Sequence, residues 1–348
     1  RLGDLRRTRR LVSMASTVAT NPGGKVTSVF DDDAAREGAF RLLENDAVPI
    51  EAIARAAHVS TARKSSEQDF VFVPVDGSSL QLKDHTGAKG FGVVGARNLG
   101  AKGLIVMNAI AVAQDGTPVG LCGQHFWSRT KRSTRKSEKN DRRRTEKKET
   151  RHWLGVIEQA HQVFAEHAPE TKPWFQLDRG GDAWPVLLDA VRGNRWVTIR
   201  AAHNRRVSSP QGPQRHLRDV VESQSVGISY ELPIDRGSRR MTRTAKMVLR
   251  HSPVQLDLLD PRTRKHHEVA LHAVLVQETD SCPPDEKNLE WLLLTTHPVT
   301  SPEDATAVVK GYTQRWRIEE FHKVWKTGAC RVEEPLAFAL GQGLVAPV

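Results

Sequence analysis

A chain of 348 residues with 38% hydrophobic and 27% charged residues has the composition of a globular protein with room for two or three domains. No apolar run is long enough to span a bilayer and no leader pattern opens the chain, so a membrane partner is not expected. A net charge of +11 and a pI near 9.8 point to a polyanionic partner.

Residues 5–19 are basic and periodic, with Leu5, Leu11, Val12 and Ala15 as expected core contacts. Helical patterns continue over 34–43 and 50–57, separated by the breaks Pro22-Gly23-Gly24 and 45–49. This predicts a small helical domain over 1–65, whose Arg6, Arg7, Arg9 and Arg10 are candidates for contacting DNA. The period then changes. Residues 70–75 are an apolar run ending at Asp76, a buried strand in spite of Pro74. Residues 103–113 and 117–127 form a hairpin over Asp115-Gly116.

The basic run 129–148 carries most of the net charge and reads as flexible or weakly helical, a solvated loop or a phosphate-backbone contact. Helix 153–166 follows, then a short strand 174–177 ending at Asp178, a helix 182–192 with Pro185 in its first turn, and a strand 195–201. Residues 204–290 are polar with β-like pieces at 226–232, 245–256 and 268–278, an inserted β subdomain. A last apolar strand covers 291–296, and 302–326 is predicted as one helix. Cys122, Cys282 and Cys330 are scattered without C-x-x-C spacing, which supports neither a disulfide framework nor a zinc site and fits a reducing cytoplasm.

At 3.6 residues per turn, Tyr312, Arg315, Glu319, His322 and Lys326 share one face of that helix, while Ile318, Phe321 and Trp325 can anchor the adjoining face. A carboxylate suits a divalent metal, and the flanking Arg, Lys and Tyr suit phosphate oxygens. Mixed charge on a helix is also what a solvated face presents. An Asp after a strand is often a plain turn residue. Two such aspartates in order with Glu319 favour a shared site. The element order, with acids after the first and fourth strands and on the last helix, is the layout of an α/β, ribonuclease-H-like core with an inserted β subdomain.

In these residues the chain resembles the DDE transposases of bacterial insertion sequences, in particular the insertion-sequence-four group. The group's Y-x2-R-x3-E-x6-K signature is met by Tyr312, Arg315, Glu319 and Lys326. Looser matches are the wording Asp76-Gly77-Ser78-Ser79-Leu80, Leu177-Asp178-Arg179, the strand 291–295, and the N-terminal stretches 3–12 and 34–43. The resemblance divides the chain into an end-binding region 1–65, a core over 66–203 and 291–334, and the insertion 204–290.

That resemblance implies a cut-and-paste DNA transposase: end nicking, hairpin formation and opening, and strand transfer by metal-dependent phosphoryl transfer. Asp76, Asp178 and Glu319 would hold two Mg2+ or Mn2+ ions. Tyr312, Arg315, Lys326, His322 and Arg200 would form the phosphate-contacting set, with His203 near the distorted end. Trp291 would stack a flipped base, although a tryptophan at a strand start is equally a core residue. Asp182 would support Asp178 or cap the following helix. The implied partners are double-stranded DNA, as transposon ends and target, and a second protomer in a synaptic complex. The implied location is the bacterial nucleoid in the cytoplasm.

Residues 335–348 carry no charge and depart from the group's helical C-terminal region, and the chain opens on Arg1 rather than Met. This fits a fragment or a truncated gene. The alternative function is therefore a non-catalytic remnant or inhibitor that binds transposon ends.

Overall fold

The computed structural model describes residues 2–23, 25–82, 90–95, 101–129, 149–208, 215–234, 242–280, 282–283 and 286–331. Most of the basic run, 130–148, and the divergent tail, 335–348, lie outside the described residues.

Three helices open the chain: α1 (Leu5–Thr20), α2 (Val26–Val29) and α3 (Asp33–Leu43). Asp4 caps α1 by accepting from the Arg6 backbone N–H at 2.6 Å, and Asp32 caps α3 by accepting from that of Ala35 at 2.7 Å. These helices close over their own apolar cluster of Leu2, Met14, Val29, Phe30, Ala39, Leu42 and Val48, with Leu11 partly buried against it. Leu5 and Val12, expected inside, are 62% and 60% exposed, and Ala15 is exposed as well. With Leu11 and Met14 turned inward, Leu5 and Val12 fall on the opposite side of a helix packed along one stripe only.

Helix α4 (Ile50–Ser65) joins this unit to the rest: Ala52 and Ile53 pack on the N-terminal cluster, while Ala62 lies in the main core. Its Thr61 hydroxyl donates to the Leu121 carbonyl at 2.8 Å, and Arg55 pairs with Glu166 at 2.5 Å.

The remainder is a mixed α/β assembly. Its strands are β1 (Phe70–Gln81), β2 (Gly92–Val93), β3 (Lys102–Val112), β4 (Pro118–Trp127), β5 (Lys172–Leu177), β6 (Trp196–Arg200), β7 (Arg206–Ser208), β8 (Arg215–His216), β9 (Ile228–Ile234), β10 (Arg243–Leu259), β11 (His266–Glu278) and β12 (Glu290–Thr295). The helices are α5 (Thr150–His167), α6 (Trp184–Arg192), α7 (Leu217–Glu222), α8 (Pro302–Thr313) and α9 (Trp316–Lys326). Among the described residues the strands form one sheet, ordered β2-β3-β1-β5-β6-β12-β11-β10-β7-β8, with β4 also on β3 and β9 also on β10. Strands β1, β5 and β6 run parallel, and β3 is antiparallel to both β1 and β4. The strands of the insertion thus extend the same sheet instead of forming a separate one.

Strand β1 is apolar on both faces because both are covered. Val71, Val73 and Val75 meet α5 and α6, whereas Phe72 meets α8. Pro74 sits where pairing with β3 passes from Phe72↔Val112 to Val75↔Ala109, the place in a ladder where a residue without N–H is tolerated. The hairpin turn puts Gly116 at φ +93°, and the Asp115 carboxylate accepts from the Thr117 backbone N–H at 2.8 Å.

The expected single helix 302–326 is two. Ser301 and Asp304 form a capping box at the start of α8, with Pro302 in the first turn. After Thr313 the bonds tighten: the N–H groups of Gln314, Arg315, Arg317 and Ile318 each donate to the carbonyl three residues back. This 3-10-like junction re-aims α9 onto β1 and β3. Similarly, α6 begins at Trp184 and not at Asp182, after a 3-10 turn over Arg179–Gly181.

Candidate active site at the ends of β1 and β5

The parallel pairing of β1 with β5 ends at Val75↔Leu177, so Asp76 and Asp178 are the next residues on neighbouring strands. Asp76 is not the end of its strand: β1 continues beside β3 with Asp76 opposite Asn108. Asp178 leaves the sheet, and its carboxylate accepts from the Gly180 backbone N–H at 2.7 Å as the 3-10 turn begins. Asp76 accepts from the Gly77 backbone N–H at 2.7 Å.

Glu319 comes from the first turn of α9, which lies over β1 and β3. Its carboxylate is held by the Arg315 guanidinium at 2.8 Å, with the arginine side chain 10% and the glutamate side chain 41% exposed. The Arg315 guanidinium also lies 4.9 Å from the Trp316 ring centre and 5.9 Å from that of Tyr312. Its Nε is buried without a partner.

The charges of these groups reach one another. Burial, and next the charge of Asp178, push the Asp76 carboxyl up to about 6; Glu319 adds to this, while the Gly77 N–H and Arg315 oppose it. Burial raises the Tyr312 phenol, with Arg315 and Arg200 acting against it and Asp178 with it. Five residues named from the sequence (Asp76, Asp178, Tyr312, Arg315 and Glu319) are therefore gathered into one electrostatic unit. Among the described residues, no group of three or more His, Cys, Asp or Glu side chains is placed so that it could hold a metal ion.

Trp291, at the start of β12, stands edge-on to Tyr312 at 5.3 Å and is half-buried against the core cluster that includes Phe72 and Val308. It is both a packing residue and a neighbour of the site. Arg200, at the end of β6, donates to the Glu290 carbonyl at 2.9 Å. Lys326 is half-buried two turns beyond Glu319, and His203 is exposed in the loop after β6.

His322 is placed elsewhere than the phosphate-contacting set anticipated. Its ring is buried, with Nε2 3.0 Å from the side-chain nitrogen of Asn108. Burial, with the charge of Lys326, pushes its pKa down to about 4. Asp182 does not cap α6. Its buried carboxylate accepts from the Ala202 backbone N–H at 2.6 Å and from Arg205 at 2.7 Å, tying down the loop after β6.

Sequence reasoning missed Asn108, Gln124 and Trp316. Asn108 had a visible signal, a lone amide inside the apolar run 104–112. Trp316, 54% exposed beside Arg315, had only its position within the signature.

Of the four N-terminal arginines, Arg6, Arg9 and Arg10 are exposed, Arg6 touching Asp4 at 3.4 Å. Arg7 donates to the Ala47 carbonyl at 3.2 Å, and the guanidinium of Arg10 lies against Gly38. Residues 1–48, which hold α1, α2 and α3, match a family model described as transposase DNA-binding. That match supports a transposase whose N-terminal unit binds DNA.

Proposed function

We propose that the chain is a cut-and-paste DNA transposase of the DDE type, related to the insertion-sequence-four group, with Asp76, Asp178 and Glu319 as its catalytic carboxylates. The observation that carries this reading is the register that puts Asp76 and Asp178 next to each other where β1 and β5 stop pairing, under the helix that bears Glu319; burial, and next the charge of Asp178, push the Asp76 carboxyl up to about 6. The strand order β4-β3-β1-β5-β6, with its antiparallel and parallel pairings, supports a ribonuclease-H-like core beneath them.

The donor set fits a hard divalent cation. All its donors are carboxylate oxygens, and the burial and neighbouring carboxylate charge that disfavour ionised Asp76 are what a bound cation offsets. Asp76, Asp178 and Glu319 would hold it, two ions of Mg2+ or Mn2+ in this reading. When bound, such ions supply Lewis-acid activation of an attacking oxygen and charge stabilisation for the leaving one. Tyr312 and Arg315, with Arg200 and Lys326 alongside, bind and orient the phosphate. The Arg315 guanidinium is held by Glu319 at 2.8 Å before DNA arrives, which fixes its orientation toward the phosphate. Orientation of this kind contributes on the order of 7–11 kcal/mol to lowering a barrier. One carboxylate set serves nicking, hairpin formation and joining because each is the same phosphoryl transfer with a different nucleophile.

The reading expects inverted repeats in the DNA flanking the gene, and the test uses them as substrate. Wild-type protein is expected to nick the repeat only with Mg2+ or Mn2+, and Glu319→Ala to bind the repeat in a gel shift without nicking it. Metal-dependent nicking that survives Glu319→Ala would falsify the triad. Binding without nicking by the wild type would favour a non-catalytic end-binding protein.

A further inference from the structure

Asp76, Asn108 and Gln124 are cross-strand neighbours on β1, β3 and β4, one row across the sheet. Helix α9 packs over β1 and β3, and His322 lies one turn after Glu319. Asn108 is fully buried, a costly place for an amide unless both its ends are matched. They are matched. The Gln124 side-chain amide donates to the Asn108 Oδ1 at 2.8 Å, which leaves the Asn108 Nδ2 facing His322 Nε2 at 3.0 Å. An amide nitrogen only donates, so Nε2 accepts and the imidazole is neutral with its proton on Nδ1.

Apolar contacts hold α9 to the sheet through the buried Ile318 and the partly buried Phe321. Such contacts are non-directional and allow a helix to slide or roll by a fraction of an ångström. A buried hydrogen bond of fixed polarity does not.

We propose that Asn108 and His322 are positioning residues: their bond sets the depth and rotation of α9 on the sheet, and so the place of the Glu319 carboxylate relative to Asp76. The inference rests on the catalytic reading of Asp76, Asp178 and Glu319. Asn108 touches neither substrate nor metal in this role. It acts by tying the helix that carries one carboxylate to the strand beside the one that carries another.

The variants are Asn108→Leu, His322→Leu and His322→Gln. Leucine approximates the asparagine shape without its amide, and glutamine can present an acceptor where Nε2 stood. Each protein is assayed for Mn2+ binding by electron paramagnetic resonance without DNA, for repeat binding, and for single-turnover nicking. Both leucine variants are expected to bind the repeat within about threefold of wild type, consistent with a role away from the DNA contacts. Their Mn2+ affinity falls by roughly tenfold, and their nicking by on the order of 100-fold, the scale of a 1 Å misplacement. The double variant is no worse than either single one, because both break the same bond. His322→Gln recovers most of the Mn2+ affinity. Unchanged Mn2+ affinity in a folded His322→Leu protein overturns the inference, as does a His322→Gln protein as impaired as His322→Leu. Should Asn108→Leu fail to fold, the two His322 variants decide alone. Because Mn2+ binding is read on the resting protein, it decides this inference even where wild-type protein fails to nick, the result that would sink the catalytic reading instead.

Discussion

Arg315 is the residue with the most demands on it: it pairs with Glu319, lies beside Tyr312 and Trp316, and keeps one buried donor unmatched. Lysine would keep the charge and lose the planar fork. Arg315→Lys is therefore expected to lower single-turnover nicking by roughly 10- to 100-fold while repeat binding changes little, a split read from rates measured at saturating protein. Equal losses in both would place Arg315 in general DNA affinity instead. A second residue-scale consequence concerns pH. His58 on α4 is buried, its Nε2 lacks a partner, and burial followed by the charge of Arg55 pushes its pKa down to about 4. The folded protein thus keeps His58 neutral while the unfolded chain protonates it below its ordinary value of 6.5. The stability this group confers is whole above that value and is lost as pH falls toward 4. Relative to His58→Leu, wild-type protein should lose about 2 kcal/mol more between about pH 7 and pH 5, measured by urea denaturation at each pH. Parallel pH dependences would show that His58 does not titrate with unfolding.

At the scale of elements, the decisive feature is the junction between α8 and α9. A continuous helix would keep Tyr312, Arg315, Glu319, His322 and Lys326 on one stripe, as their spacing suggests. The tightened turn at Gln314-Arg315 changes the phase between Tyr312 and the residues of α9; within α9, His322 is buried against Asn108 while Glu319 stays partly exposed. Nothing in the composition of 312–318 announces this break; there is neither Gly nor Pro after Gly311. It follows from packing, since on one face of the sheet α8 must lie on Phe72 and over β5, and α9 further along over β1 and β3. Gly311 makes the first contact possible: a Cβ there would stand 2.7 Å from the Phe72 ring and 3.1 Å from the Gln176 amide. Gly311→Ala is expected to destabilise by about 1–3 kcal/mol through overpacking, although alanine is the better helix former. Thermal unfolding checks it, and a gain in midpoint would mean that α8 is free to move off the sheet. The acidic strand ends, by contrast, were legible. Apolar runs closing on Asp76 and on Asp178 survive as β1 and β5, and only the continuation of β1 past Asp76 was hidden, because its second half pairs with β3 alone.

On the scale of the whole molecule, the N-terminal unit has its own core and reaches the sheet through α4. Besides Arg10, whose guanidinium lies against Gly38, the exposed members of its arginine group are Arg6 and Arg9. Replacing both by Ala should reduce the slope of log binding constant against log salt by about 2 for the repeat, with the melting midpoint unchanged. An unchanged slope would move the phosphate contacts to another surface. No described helix is long and apolar enough to cross a membrane. The sequence by itself determined the excess of positive charge, the alternation of strands and helices, the order of the three carboxylates and the spacing of the signature, because these depend on composition and local period alone. Tertiary structure decided which of those residues meet. Strand register placed Asp76 beside Asp178 and opposite Asn108, and helix packing turned Glu319 toward them while burying His322. Both depend on contacts between segments tens to hundreds of residues apart, which no local pattern encodes.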